Sequence, residues 1–274
     1  MNEWAFIIDC MRFSFSRLNY TCLYEWFMHY VDDPLGETEN SFYGQFGGFC
    51  HHILEQYANG YLNIFELAPY YEEYYCDWVT EPAPFNKHTD IAEDTYYKGL
   101  DYFQNIDLTF EKFDILGVEK ELNFKIGDYD FIGFIDLLLR EKDTGKIIIL
   151  DHKSSTLQRK KNGELSGSKQ TKATLEKFKK QLYLYSKPVI EEYGKVDELW
   201  WNMYKQRDWV KLPWKQEEYE KSLKWAVDTI EFLKTVEEWD PQDKCGPSNN
   251  YCRTLCCKRD QCIYMNEGDE SEWL

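Results

Sequence analysis

No stretch of this 274-residue chain approaches 18 consecutive apolar residues, so the sequence offers no membrane-spanning helix. The G-x-x-x-x-G-K-[ST] phosphate loop is absent too, which excludes a nucleotide-driven motor of that type within these residues. Internal repeats and low-complexity linkers are also lacking, and the length suits one substantial domain with an insertion. Positive charge is scarce. With 32 Lys and Arg against 49 Asp and Glu, the net charge is -17, which argues against general affinity for phosphate backbones. The first nine residues, Met1 to Asp9, have acidic flanks and only a short apolar run, unlike a secretory signal. A soluble, cytoplasmic protein with no membrane partner is therefore expected. In a reducing compartment its nine cysteines read as metal ligands or free thiols rather than disulfides.

What is present concentrates in two apolar runs. Gly133-Phe134-Ile135-Asp136-Leu137-Leu138-Leu139 is followed, after a short turn, by Ile147-Ile148-Ile149-Leu150-Asp151-His152-Lys153. Such runs read as buried strands, and a buried aspartate costs several kcal/mol, roughly, unless a cation or hydrogen bonds compensate it. A hairpin centred between residues 143 and 144 sets Asp136 opposite Asp151 on one face, and the period of two adds Lys153 to that face. A bulge at Gly145 would shift this register by one.

Around the hairpin, residues 11–31 read as an aromatic-rich helix and 44–58 as a helix carrying His51 and His52. Residues 61–106, rich in Tyr, Asp and Glu, read as a helical insertion. Strands follow at about 117–126, 129–140 and 146–153, then a helix at 171–192. A second hairpin turns at Lys205-Gln206-Arg207, an amphipathic helix covers 217–239, and a Cys-rich tail fills 240–274. From Arg159 to Lys180, eight basic residues meet only Glu164 and Glu176. This local field, with Arg159, Lys160, Lys161, Lys169 and Lys172 as candidate nucleic-acid contacts, counts for more near a site than the total charge. A solvated loop and helix face is the plainer alternative.

The pattern Gly133-x-x-Asp136 with Asp151-His152-Lys153 resembles the PD-(D/E)xK nucleases, and further motifs resemble their RecB-like branch. Gly47-Gly48-Phe49-Cys50-His51-His52-Ile53-Leu54-Glu55 is similar to that branch's G-x-x-x-H-x-x-L-E helix. Gln181-Leu182-Tyr183-Leu184-Tyr185 is similar to its Q-x-x-x-Y helix, and Val118-Glu119-Lys120-Glu121-Leu122 to the strand before the first aspartate. The resemblance implies an α/β, restriction-endonuclease-like fold: a mixed central sheet flanked by helices, with the Cys-rich tail packed against the N-terminal region.

It also implies chemistry. His51, Asp136, Asp151 and the His152 carbonyl would hold Mg2+ or Mn2+, Lys153 would position water and offset charge, and Gln181 and Tyr185 would steady the substrate. Glu55, Glu119 or Glu121 would orient His51. Cys22, Cys252, Cys256 and Cys262 match the places of a 4Fe-4S cluster in iron-sulfur members, with Cys257 as an alternative to Cys256 and Zn2+ as an alternative to the cluster. The implied activity is a DNA exonuclease acting on single strands or duplex ends in recombination, repair or phage DNA processing, in a bacterial or phage-infected cell. A separate helicase or recombination protein would be its partner. A CRISPR spacer-acquisition exonuclease, a non-catalytic DNA-binding or assembly subunit and an acidic DNA mimic are the alternatives.

Overall fold

The computed structural model describes residues 4–36, 38, 40–241 and 245–266. Residues 1–3, 242–244 and 267–274, which the sequence reading assigned to the chain's start and its tail, lie outside that set. Five strands form one mixed sheet in the order β1 (Phe113–Ile126), β2 (Tyr129–Glu141), β3 (Ile147–His152), β4 (Glu198–Met203) and β5 (Asp208–Pro213). Only β3 and β4 run parallel. The helices are α1 (Ala5–Asp9), α2 (Phe15–Leu18), α3 (Leu23–Phe27), α4 (Phe42–Ala58), α5 (Leu67–Trp78), α6 (Ile91–Gln104), α7 (Lys169–Tyr193), α8 (Gln216–Thr235), α9 (Asn250–Thr254) and α10 (Ile263–Asn266). None among the described residues is long and apolar enough to cross a membrane.

Strand β3 is buried at every position, which is why its sequence is an unbroken apolar run rather than an alternation. Its parallel partner β4 can be reached only by a crossover, and α7 supplies it. That helix starts where Ser168 Oγ accepts the Thr171 amide at 3.2 Å. On one face of the sheet, α7, α8 and the N-terminal helices enclose Phe13, Trp26, Ile149, Leu182, Trp201 and Ile230. On the other, α4, α5 and α6 enclose Phe49, Ile53, Tyr71, Phe103 and Leu150. Segment 61–106 thus forms α5 and α6, which close the second core.

The hairpin register matches the expectation: Leu137 faces Leu150 and Arg140 faces Ile147, so Asp136 and Asp151 lie one step beyond the last paired residues. Gly145 takes φ +67° inside the turn, where its amide bonds the Glu141 carbonyl at 2.8 Å, and no register shift results.

Two expected helices differ. Residues 11–31 break into α2, α3 and a π-helical turn at Met28–Asp32. Phe13 is tied to β2 instead, through Phe13 N–H to Asp130 O and Ile132 N–H to Phe13 O, both at 2.8 Å. The Trp26 indole donates to the Arg17 carbonyl at 2.8 Å, folding the chain back after α2. Helix α8 ends at Thr235 rather than near Trp239, because Val236 turns extended and Trp239 stacks on Trp26 and Phe27 at 5.3 and 5.1 Å. The tail packs against the N-terminal region through Arg259 to the Asn40 carbonyl at 3.1 Å and Tyr24 against Tyr264 at 5.1 Å.

Candidate metal centre

The site sits where two neighbouring strands lose their alternation. Phe131 and Ile135 of β2 face the α7/α8 core, yet Leu137 and Leu139, of the same parity, face the α4–α6 core. Across from this slip, Glu119 of β1 takes a left-handed backbone with φ +46°, between the pairs Val118–Leu137 and Lys120–Ile135. A left-handed glutamate in a strand is sterically costly, and such strain persists where the surroundings over-determine it. Here it brings two acids together: ligand atoms of His51, Glu119 and Asp136 all lie within 4.8 Å of one another.

Electrostatics in this cluster call for a cation. Burial, then the charge of Asp151, raises the Asp136 carboxyl far above the ordinary range, against the opposing pull of Lys153 and the His152 amide. Burial and the Asp136 charge push Glu119 up to about 7. Burial and the Lys153 ammonium lower His51, keeping its ring neutral and able to ligate. His51 Nε2 donates to the His152 carbonyl at 2.9 Å, which fixes the tautomer and leaves the Nδ1 lone pair facing Asp136 Oδ2 at 3.5 Å.

That geometry bears on two expectations. The His152 carbonyl accepts the His51 proton, which orients the ring and leaves the carbonyl's second lone pair. The His152 ring is buried 5.7 Å from the His51 ring, receiving an Asn202 amide proton at Nδ1 at 3.0 Å. The acid that closes with His51 and Asp136 is Glu119, while Asp151 turns to Lys153 and Gln181. Sequence reasoning gave Glu119 only an orienting role because strand periodicity does not reveal a local backbone slip. Glu121, the alternative, is exposed and bonds Asn123 at 2.8 Å; Glu55 lines the cleft beside His51.

Beside the triad, the Lys153 ammonium lies 2.9 and 2.7 Å from the two oxygens of Asp151 and 3.0 Å from Gln181 Oε1. Gln181 Nε2 in turn donates to Asp151 Oδ1 at 3.2 Å, so α7 holds the lysine against β3. Asp151 Oδ2 is buried, and the Lys153 ammonium at 2.7 Å is its charge partner.

Tyr185 does not reach the open cleft as expected. It is buried, its hydroxyl bonding Gln181 and the Phe134 backbone, and burial raises its pKa. It packs on Gly133, where an added Cβ would come within 2.4 Å of the ring. Gly133→Ala is therefore expected to cost about 1–3 kcal/mol by overpacking and to shift α7 with its glutamine, read as a lower urea midpoint and reduced activity in still-folded protein.

The basic block is partly committed elsewhere. Arg159 grips Asp208 with both guanidinium edges and the Trp209 carbonyl at 2.9 Å, and Lys160 pairs with Glu164 at 2.9 Å. Lys161, Lys169 and Lys172 are exposed on the loop and on α7. Lys177, one turn before Gln181, lies close enough to Lys153 that burial and that neighbour lower its pKa.

A second cluster joins the chain's ends. Cys245 Sγ lies 3.6 Å from Cys252 Sγ, and Cys245 also interacts with Cys262 and Cys22. Cys256, expected to be a ligand, instead stands with its alternative Cys257 beside Glu25, whose carboxylate accepts the Cys257 amide at 2.8 Å. The family resemblance points to Cys256; the turn at 246–248 that brings Cys245 beside Cys252 is visible only in three dimensions. A single tetrahedral zinc would hold its thiolates about 3.8 Å apart, as its bond lengths of about 2.3 Å dictate. Among the described residues, no three thiols converge within 4.8 Å. The 3.6 Å between the Cys245 and Cys252 sulfurs is close to that tetrahedral spacing.

The sequence profile of the PD-(D/E)XK nuclease superfamily matches residues 12–263, and the chain belongs to that superfamily. The five-stranded mixed sheet between helical layers is consistent with its restriction-endonuclease-like fold, and membership implies nuclease chemistry at the acid-and-histidine cluster. No curated protein matches the chain.

Proposed function

We propose that this protein is a metal-dependent DNA exonuclease of the RecB-like branch, hydrolysing phosphodiesters at DNA ends or in single strands. The observation that carries this reading is the convergence of His51, Glu119 and Asp136 within 4.8 Å beside the Lys153–Asp151–Gln181 group. Two crowded, partly buried carboxylates and a neutral imidazole form an oxygen-rich set suited to Mg2+ or Mn2+, with Asp151 the nearest further donor. When bound, the metal supplies Lewis acidity toward the scissile phosphate and an activated water. Lys153 offsets negative charge developing on phosphorus, and Gln181 keeps its ammonium from collapsing wholly onto Asp151. Tyr185 positions Gln181 from below.

The test is digestion of 5′- and 3′-labelled linear strands and of closed circular strands, with and without Mn2+. Mononucleotide or short-oligonucleotide release from linear DNA alone supports an exonuclease; cleavage of circles contradicts it. Absence of any cleavage would favour a DNA-binding subunit or acidic mimic.

We place a 4Fe-4S cluster, with Zn2+ as the alternative, on Cys22, Cys245, Cys252 and Cys262, where it would crosslink the chain's ends across a long loop. Anaerobically purified protein is expected to be brown, and Cys245→Ser to lose most of the visible absorbance while Cys256→Ser keeps it. Equal loss in both variants would restore Cys256 as a ligand.

One titration follows from the acids. Glu119, raised to about 7, keeps a proton in the metal-free fold that the unfolded chain releases above about 4.5. The native state then binds more protons in that window, so its stability falls as pH rises through it. Relative to Glu119→Gln, metal-free wild type is expected to lose several degrees of Tm between pH 5 and 8, and Mn2+ to recover most of that loss. Parallel Tm curves for the two proteins would contradict it.

A further inference from the structure

Between α4, α5 and β2 a cleft of about 600 Å³ opens directly onto the metal centre, lined by His51, His52, Glu55, Trp78, Glu119 and Phe134. We propose that this cleft is a nucleobase platform, on which an unpaired strand stacks bases against Trp78 and Phe134. The proposal deepens the nuclease reading and rests on it: it assigns that site a preference for single-stranded DNA and names the residues that impose it.

Two large aromatics expose a face here. Trp78 is 39% and Phe134 46% accessible, whereas Tyr71 and Tyr75 of α5 and Phe131 of β2 are buried. Trp78 is held rigidly, stacked on His52 at 4.8 Å and 24° and on Phe49 at 5.3 Å and 25°. Both partners belong to α4, and the indole lines the cleft with part of its surface exposed. Phe134 lines the same cleft as His51 and Glu119 of the metal centre.

Charge decides which part of a nucleotide faces this wall. The cleft contributes the carboxylates of Glu55 and Glu119 and no ammonium or guanidinium, so a phosphate is repelled there. The amines lie across the site, with Lys153 on the end of β3 and Lys177 on α7. A strand crossing the metal centre then turns its phosphates toward α7 and its bases toward α4 and α5. Stacking on aromatic faces is sequence-tolerant, because every base presents a π-face. A volume of about 600 Å³ is within the range of small-ligand sites, which admits splayed bases one or two at a time.

The experiment measures binding without turnover, by fluorescence anisotropy in the Lys153→Ala background with Mn2+. One labelled probe is an oligothymidylate, and the other has the same length with consecutive abasic positions. Trp78→Ala and, separately, Phe134→Ala are each expected to weaken the intact probe between about fivefold and 150-fold, the range for loss of one stacked base. Neither is expected to change binding of the abasic probe, which should start weaker. Phe134 is the safeguard against misfolding, since its ring lies largely outside the core. Equal weakening of both probes, or of neither, overturns the platform. Cleavage by wild type with no difference between intact and abasic probes sinks this inference alone. Absence of both DNA binding and cleavage sinks the nuclease reading with it.

Discussion

Asp136→Asn is expected to eliminate both metal binding and DNA cleavage while leaving a more stable metal-free protein. The carboxylate lies between the His51 ring and the His152 amide, which donates to its Oδ2 at 2.6 Å. An asparagine oxygen can still accept that amide proton, so the hydrogen bond that joins β2 to the end of β3 survives. What disappears is the charge. Burial and the neighbouring Asp151 oppose that charge in the absence of a cation, so removing it relieves the metal-free fold. With a cation the balance reverses, because the anionic ligand is what holds it. Loss even of groups that merely orient a ligand costs about 10–100-fold in metal affinity, and loss of a ligand itself is expected to exceed about 100-fold. Calorimetric titration with Mn2+ and a paired urea melt check the two halves. Unchanged Mn2+ affinity would remove Asp136 from the ligand set, and a less stable apo variant would show that its charge is compensated within the protein.

Lys153→Ala is expected to lower kcat by about 10²–10³-fold, the usual cost of removing one group that stabilises charge developing in a transition state. DNA binding should hardly change, because the exposed Lys161, Lys169 and Lys172 on the loop and on α7 remain in place. The variant leaves Asp151 without the ammonium 2.7 Å away, so its carboxylate becomes more dependent on the metal. A corollary separates the electrostatic role from simple damage: Lys153→Arg keeps the charge but not the compact ammonium geometry, and it should recover binding of Mn2+ more fully than turnover. Turnover equal to wild type in Lys153→Ala would remove the lysine from the chemistry. A loss of DNA affinity as large as the loss of kcat would make it a binding residue.

Much of this site was readable from the chain. A run of apolar residues cannot carry Asp136, Asp151 and Lys153 without a reason, and strand periodicity with a short turn was enough to place the two acids in register. The four-residue step from Gln181 to Tyr185 followed from helical geometry in the same way, whereas His51 stood out by its resemblance to a family motif. These are local rules, in which position along the sequence translates directly into direction. The charge distribution was harder to read: Arg159 looked like a DNA contact, but a distant aspartate, Asp208, takes its guanidinium.

The sequence by itself determined the elements, the hairpin register and the residue types available for catalysis, because propensity and periodicity act over a few neighbours. Only the tertiary structure decided that Glu119 lies with His51 and Asp136, that the His152 carbonyl accepts the His51 proton, and that Cys245 lies beside Cys252. Each of those outcomes depends on a left-handed residue, a slipped strand or a bent loop between segments far apart in the chain. No local pattern specifies such contacts, since they are settled by how two cores close on opposite faces of one sheet.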